Sequence, residues 1–148
     1  THALRRYEKG TILKNLLGLI PDRKKVRFHK KLSTVLLDAY EAIGGIDLAV
    51  LDGTYTYLSV EPYNARDRIN TNILLVGRDA IAVEAVGATL AGLDPEKMPV
   101  IKEARDRGLG EGDVNKIEVL GNSIESLQER FPLLLQASKK KGKFKQKQ

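Results

Sequence analysis

Apolar and polar positions along the chain follow helical spacing in some stretches and form short unbroken apolar runs in others. In "TILKNLLGLI", Ile12, Leu13, Leu16, Leu17 and Ile20 share one side of a 3.6-residue wheel, and Lys14, Asn15 and Gly18 share the other. Thr11 stands where a hydroxyl accepts a free first-turn N–H, and Pro21 stops the pattern, so a helix is expected over residues 11–20. After a basic linker, Leu32, Val35, Leu36, Ala39, Tyr40 and Ile43 recur at helical spacing until Gly44-Gly45. Asp79 is placed to cap a third helix, "AIAVEAVGATLAGL", which Gly92 ends. Asp94-Pro95 suit the N-cap and first position of a fourth, running to about Arg107. "NSIESLQERF" reads as a last capped helix before Pro132.

Between these lie "IDLAVLDG", "TNILLVG" and "KIEVLG", short apolar runs bounded by turn residues, as expected of strands buried on both faces. "TYTYLSV" alternates and extends or bends the first, "EPYNARDRIN" reads as a polar loop, and "GLGEGD" as a flexible glycine connection. Strands alternating with helices predict an α/β fold, a layered sheet of about three to four mostly parallel strands flanked by helices. That is few strands for the class, so the chain is expected to lack an N-terminal part, and its opening "THALRRYEKG" to mark a fragment or processed piece. The 148 residues suit a single α/β domain over 1–137, followed by a tail over 138–148.

Charge changes this picture by its distribution. Residues 1–31 hold ten Lys/Arg against Glu8 and Asp22, residues 32–138 hold nine against seventeen acids, and residues 139–148 hold six Lys and no acid. The globular middle is acidic, and the net +6 comes from the front segment and from "KKKGKFKQKQ". Such a tail is expected to be disordered and to solubilise, or to attract nucleic acid in a salt-sensitive way. The absence of cysteine excludes disulfides and any cysteine-ligated iron–sulfur cluster in this chain, and no apolar run approaches a membrane span. A cytoplasmic location is the expectation, with no membrane partner.

Candidate chemistry follows from residues placed against the pattern. Gly18 in mid-helix costs about 1 kcal/mol against alanine. Close approach of a ligand or another backbone between Lys14 and Asn15 would offset that cost; a solvated face is the plainer explanation. Were the first two strands parallel, Asp52-Gly53 and Gly77-Arg78-Asp79 would share the carboxyl edge of the sheet, where ligands of α/β folds bind. Asp79 has a ready structural role as a cap, so Asp52 is the stronger candidate for chemistry. Glu84 is surrounded by "AIAVEAVGA", and a carboxylate there must be paired, hydrogen-bonded or protonated. Two histidines are too few for a His-rich metal centre, and neither a metal nor a cofactor is named by the pattern.

The ordered series "LKNLLGLIPDRKKVRFH", "DLAVLDG", "LLVGRDAIAVEAV", "LAGLDPEKMP" and "EARDRGLGEGDVNKIEVLG" resembles the DUF362 family, an uncharacterised group, over residues 1–121. The opening "TH" looks like the end of the family's Lys-Thr-His motif, so the chain resembles the C-terminal portion of that domain. The resemblance points to His2, Lys14, Asn15, Gly18, Arg23 and His29, then to Asp52, Gly53, Arg78, Asp79 and Glu84. Family members usually have a Gly-rich loop after the Asp-Gly pair, where this chain has "TYTYLSVEPYNARDRIN", and an aspartate where it has Glu84. The function expected is binding of a small anionic or metal-bound ligand at the strand ends, with or without catalysis. Asp52, His29 and Glu84 would be catalytic. His2, Lys14, Asn15, Gly18, Arg23, Gly53, Arg78 and Asp79 would bind the ligand. The alternative is a non-catalytic RNA-binding or protein-interaction module using the basic front and tail, and a third is an interaction domain that contacts the absent N-terminal part or an oligomer partner.

Overall fold

The structure, a computed structural model, describes residues 11–57 and 68–129. His2, residues 58–67 and the basic tail lie outside the described residues. The elements are, in order, a 3-10 turn Leu13–Gly18, a second Lys25–Lys31, helix α1 Leu32–Ala42, strand β1 Ala49–Tyr57, strand β2 Arg68–Gly77 and helix α2 Ala80–Leu90. A short turn Pro95–Lys97, helix α3 Pro99–Asp106, a turn Val114–Lys116 and helix α4 Ile124–Gln128 complete the series.

The sheet corrects the expected fold. Among the described residues it has two strands, and they are antiparallel, with Ala49 opposite Gly77 and Tyr57 opposite Arg68. The physical reason lies in the connection: residues 58–67 are too few for the helical crossover of a dozen or more residues that parallel neighbours need. The runs "LAVLDG" and "ILLVG" suggested burial on both faces, yet only one face is covered. Ala49, Gly53, Thr71 and Ile73 are buried, whereas Val50, Leu74 and Val76 are more than half exposed on the opposite face. Alternation was present, but with apolar residues on both sides it was invisible to a hydropathy pattern. A bulge follows Gly53, where the register shifts between Gly53 and Tyr55 and Asn72 takes a positive φ of 49°. The extra residue lies on β2, where Thr71 and Asn72 stand against Thr54 of β1.

The third expected strand, "KIEVLG", forms no ladder among the described residues: Lys116 ends a 3-10 turn, Ile117 is extended, and 117–120 belong to no strand. Ile117 and Val119 point inward and Glu118 and Leu120 outward, so the strand-like alternation is present without a ladder.

The helices follow the pattern more closely. α1 ends as Gly44-Gly45 require: both have positive φ, Gly45 N–H bonds Tyr40 C=O at 2.9 Å, and Gly44 N–H bonds Glu41 C=O at 3.0 Å. Asp79 caps α2, accepting from Ile81 N–H at 2.8 Å and Ala82 N–H at 3.0 Å. The helix expected from Asp94 to Arg107 is split, because Pro99 lacks an N–H and holds Met98 extended. The helix expected over residues 11–20 is a tighter 3-10 turn, capped by something other than Thr11. Leu13, Leu36, Leu37, Ala80, Ile81, Val100 and Ile101, each essentially inaccessible, form the centre of the core between that turn, α1, α2 and α3.

Candidate functional site

Glu84 lies on α2, whose residues are buried almost all round, and it is itself fully buried. Among the described residues no cation is paired with it. Its Oε1 accepts from Thr11 N–H at 2.6 Å and from the Thr11 hydroxyl at 2.9 Å, and its Oε2 accepts from Leu13 N–H at 3.1 Å. The carboxylate is thus the cap of the first 3-10 turn, supplied from more than seventy residues away, and it takes the hydroxyl expected to cap locally. Burial pushes the Glu84 carboxyl above the usual range, against the opposing pull of the Leu13 and Thr11 donors. Of the three sequence-level options for this residue, the structure realises hydrogen bonding.

Asp52 lies in the middle of β1, opposite Leu74, on the exposed face. It accepts from Thr54 N–H at 2.9 Å and from the Thr54 hydroxyl at 2.6 Å, and these bonds hold it below the usual carboxylate range. α2 packs on the other face of the hairpin, so Asp52 and Glu84 stand on opposite sides of the sheet. Gly53 is buried, and a Cβ there would stand 3.0 Å from Ile73 C=O, which gives this glycine a packing role at the bulge.

The front residues are distributed along two turns. Lys14 is half-buried and Asn15 exposed. A Cβ on Gly18 would meet no described atom within 4 Å, so no close approach explains that glycine; its carbonyl accepts from Lys25 Nζ at 3.1 Å. Arg23 is exposed, and His29 is exposed with Nδ1 3.1 Å from Val26 C=O. Arg27 pairs with Asp22 and lies over the Phe28 ring.

Arg78 and Asp79 occupy a different place. With Gly77 they form the carboxyl end of β2, and in the antiparallel hairpin that end lies beside the start of β1, three residues or about 10 Å along from Asp52. The shared carboxyl edge expected for the two acids is therefore absent. Asp79 is saturated: besides its two bonds to α2, its Oδ2 accepts from Glu111 N–H at 2.8 Å. That bond fastens the "GLGEGD" segment, which is packed and not a loose connection. A Cβ on Gly110 would overlap Asp79 and Ile81, and one on Gly112 would overlap Ile101 and Arg105.

A groove of about 450 Å³ opens at this end of the sheet. Its walls are Leu74–Asp79 on one side and Lys116–Leu120 on the other, with Ala82, Val83 and Val86 of α2 as floor and Glu111 at one end. Arg78 on its rim is exposed and has no acidic partner among the described residues. The sequence reading found Arg78 and Asp79 but missed the opposite wall, because "KIEVLG" was assigned to the sheet itself. Another residue it missed is Arg107, which reaches Asp38 and Glu41 of α1 and Glu103 of α3 at 2.6–2.7 Å and ties the two helices together. Three acids converging on one arginine cannot be read from their spacing in the chain.

Among the described residues no group of three or more His, Asp or Glu side chains is arranged to hold a metal ion, and no helix is long and apolar enough to cross a membrane. A family model described as "Domain of unknown function (DUF362)" matches residues 1–89, three-fifths of the chain, ending within α2. No curated protein and no solved structure matches.

Proposed function

The chain belongs to the DUF362 family, and from that premise we propose that it binds a small anionic ligand in the groove at the carboxyl end of β2. The observation that supports this reading is Arg78: an exposed guanidinium with no described acidic partner, on the rim of a groove between a strand end and the start of the following helix. A guanidinium offers a fork of N–H donors suited to carboxylate or phosphate. Lys116 lines the same groove, with only a 3.8 Å contact to Asp113. Of the acids that line the groove, Asp79 is engaged by three backbone N–H groups and Glu111 Oε1 by Asp113 N–H at 2.8 Å, while Glu118 is exposed. The reading is one of binding, since Asp52 and Glu84 are separated by the sheet and cannot flank one reacting group. Titration with inorganic phosphate and with citrate, followed by amide shifts, should move Arg78 and Lys116 together. Arg78→Ala should weaken binding at least about tenfold, and equal affinity in that variant would refute the site.

A second reading has its own support. Arg23, Lys24, Arg27, Lys30 and Lys31 are exposed on or next to the second 3-10 turn, alongside Val26 at 79% exposure. Such a cationic face would bind RNA or another polyanion with a steep salt dependence. Reversing Lys30 and Lys31 to Glu should flatten that dependence; RNA affinity indifferent to the reversal would dismiss it.

A further inference from the structure

The hairpin carries an apolar surface that the core leaves uncovered. On the face turned away from α2, Val50 stands directly opposite Val76, and Leu74 stands opposite Asp52 in the next pair on that face. Leu48 lies just before β1. All four aliphatic side chains are more than half exposed, Leu74 by 64%. Single exposed apolar residues are ordinary, but a contiguous group on one sheet face marks a contact surface, because such a face is buried against another element.

A second observation supplies the cover. α4 ends at Gln128, and the chain goes on through "RFPLLLQ", which puts Phe131, Leu133, Leu134 and Leu135 within five residues. Water drives such a run toward an apolar surface. The point of departure is fixed on the other side of the sheet: Leu127 belongs to the small core cluster with Ile73, Val86 and Leu90, and Gln128 Nε2 donates to Thr89 C=O at 2.9 Å. Ile73 and Leu74 are neighbours on opposite faces of β2, so α4 stops beneath the strand residue whose successor begins the exposed patch. From Leu127 to Leu134 the chain can extend about 23–25 Å. Layers on opposite faces of a sheet lie about 20 Å apart, twice the ~10 Å spacing of one packed layer, so the segment is long enough to pass β2 and reach the far face.

We infer that residues 131–135 strap the outer face of the hairpin, with their leucines seated on Val50, Leu74 and Val76. Charge agrees with this occupant. Asp52 is the exposed acid beside Leu74, about 7 Å along the strand from Val50. Lys139–Lys141 begin four residues after Leu135, a reach of about 13–14 Å, while Arg78 stands at the opposite end of the patch. The strap goes beyond the anion reading and needs neither Arg78 nor Lys116.

The chain has no cysteine, so engineered disulfides report the contact without interference. In the full chain, Leu74→Cys combined with Leu134→Cys should close an intramolecular disulfide under mild oxidation at low protein concentration. It should form at least about tenfold faster than the pair Leu120→Cys with Leu134→Cys, because a seated segment holds its cysteine at a high local concentration whereas an unseated one favours the shorter loop. Leu120 is 83% exposed and much nearer in sequence, which makes it the stricter comparison. Equal rates, or a faster Leu120 pair, would overturn the strap. A disulfide formed only between molecules would assign the face to a second copy and overturn it as well. Leu134→Asp in the otherwise native chain gives an independent reading: the amide resonances of Val50, Leu74 and Val76 should shift, and resonances that stay in place would refute the contact.

Discussion

Replacing Glu84 with Gln separates its two contributions, charge and hydrogen bonding. The amide keeps one acceptor oxygen, which can stay with the Thr11 N–H and hydroxyl, but turns an –NH2 group toward Leu13 N–H, where the carboxyl group, even protonated, offers a lone pair on Oε2. A buried N–H left without an acceptor costs about 1–3 kcal/mol, which is the expected loss near pH 4. The pH dependence has a definite sign. Burial raises the folded-state pKa of Glu84, so in the unfolded chain it ionises from its ordinary value of 4.5 upward while in the folded chain it still holds its proton. Its stability contribution is fully present below that ordinary value and is lost as pH rises through the folded-state value, at up to about 1.4 kcal/mol per pH unit. Gln cannot ionise and loses nothing over the same range. The stability gap between wild type and Glu84→Gln should therefore be widest near pH 4 and shrink upward. Urea unfolding followed by circular dichroism, on both proteins from pH 4 to 8, reads this difference and cancels the other carboxylates. A gap that stays constant or widens with pH would refute the claim that burial dominates at Glu84. Thr11→Val, which removes one donor that lowers this pKa, should steepen the wild-type decline.

Three further outcomes follow from the packing. Asp79→Ala removes the α2 cap and orphans Glu111 N–H, and should cost about 1–3 kcal/mol in urea unfolding, more than an exposed cap alone. Gly110→Ala forces a Cβ into Asp79 and Ile81 and should cost about 1–3 kcal/mol, whereas Gly18→Ala, with open space around it and helical φ/ψ on either side, should be neutral or stabilising. Arg107→Met should lower the melting temperature at low salt and differ less from wild type in 1 M NaCl, since its three carboxylate contacts are partly exposed and screened; a salt-independent difference would mean that packing of the side-chain stem matters more.

How much of this was legible depended on whether the signal was local. The ends of α1 and α2 were, because Gly44-Gly45 and Asp79 act on backbone groups two to five residues away. So was the demand that Glu84 be satisfied, since apolar neighbours on every side leave a carboxylate no other course. Its partner was not legible: Thr11 reads equally well as a local cap, and the choice between its own turn and a carboxylate 73 residues on is made by tertiary packing. Pro99 was legible and overlooked, and it halves the expected fourth helix. The direction of the strands was available from the ten residues between them, but the apolar runs pointed to a parallel sheet covered on both sides. One exposed face of Val50, Leu74 and Val76 looks the same in sequence as one buried face.

The displaced expectations share a cause that bears on where chemistry can occur. Glu84 and Asp79, both marked as candidates by their residue type and setting, have their oxygens filled by backbone N–H donors from other parts of the chain. Each fastens a flank of α2: Glu84 the first 3-10 turn, Asp79 the glycine segment that leads to the groove wall. Carboxyl groups with their acceptor positions filled in this way are poorly placed to hold a cation from a ligand, whereas Arg78, immediately before Asp79 in sequence and exposed, has no described acidic partner. On the proposed anion-binding reading, contact with the ligand falls to Arg78, beside these filled acids. The acids beside it matter indirectly, because Asp79 holds Glu111 and, through it, the start of the wall that faces Arg78 across the groove. Loss of Asp79 should then widen the groove as well as weaken α2.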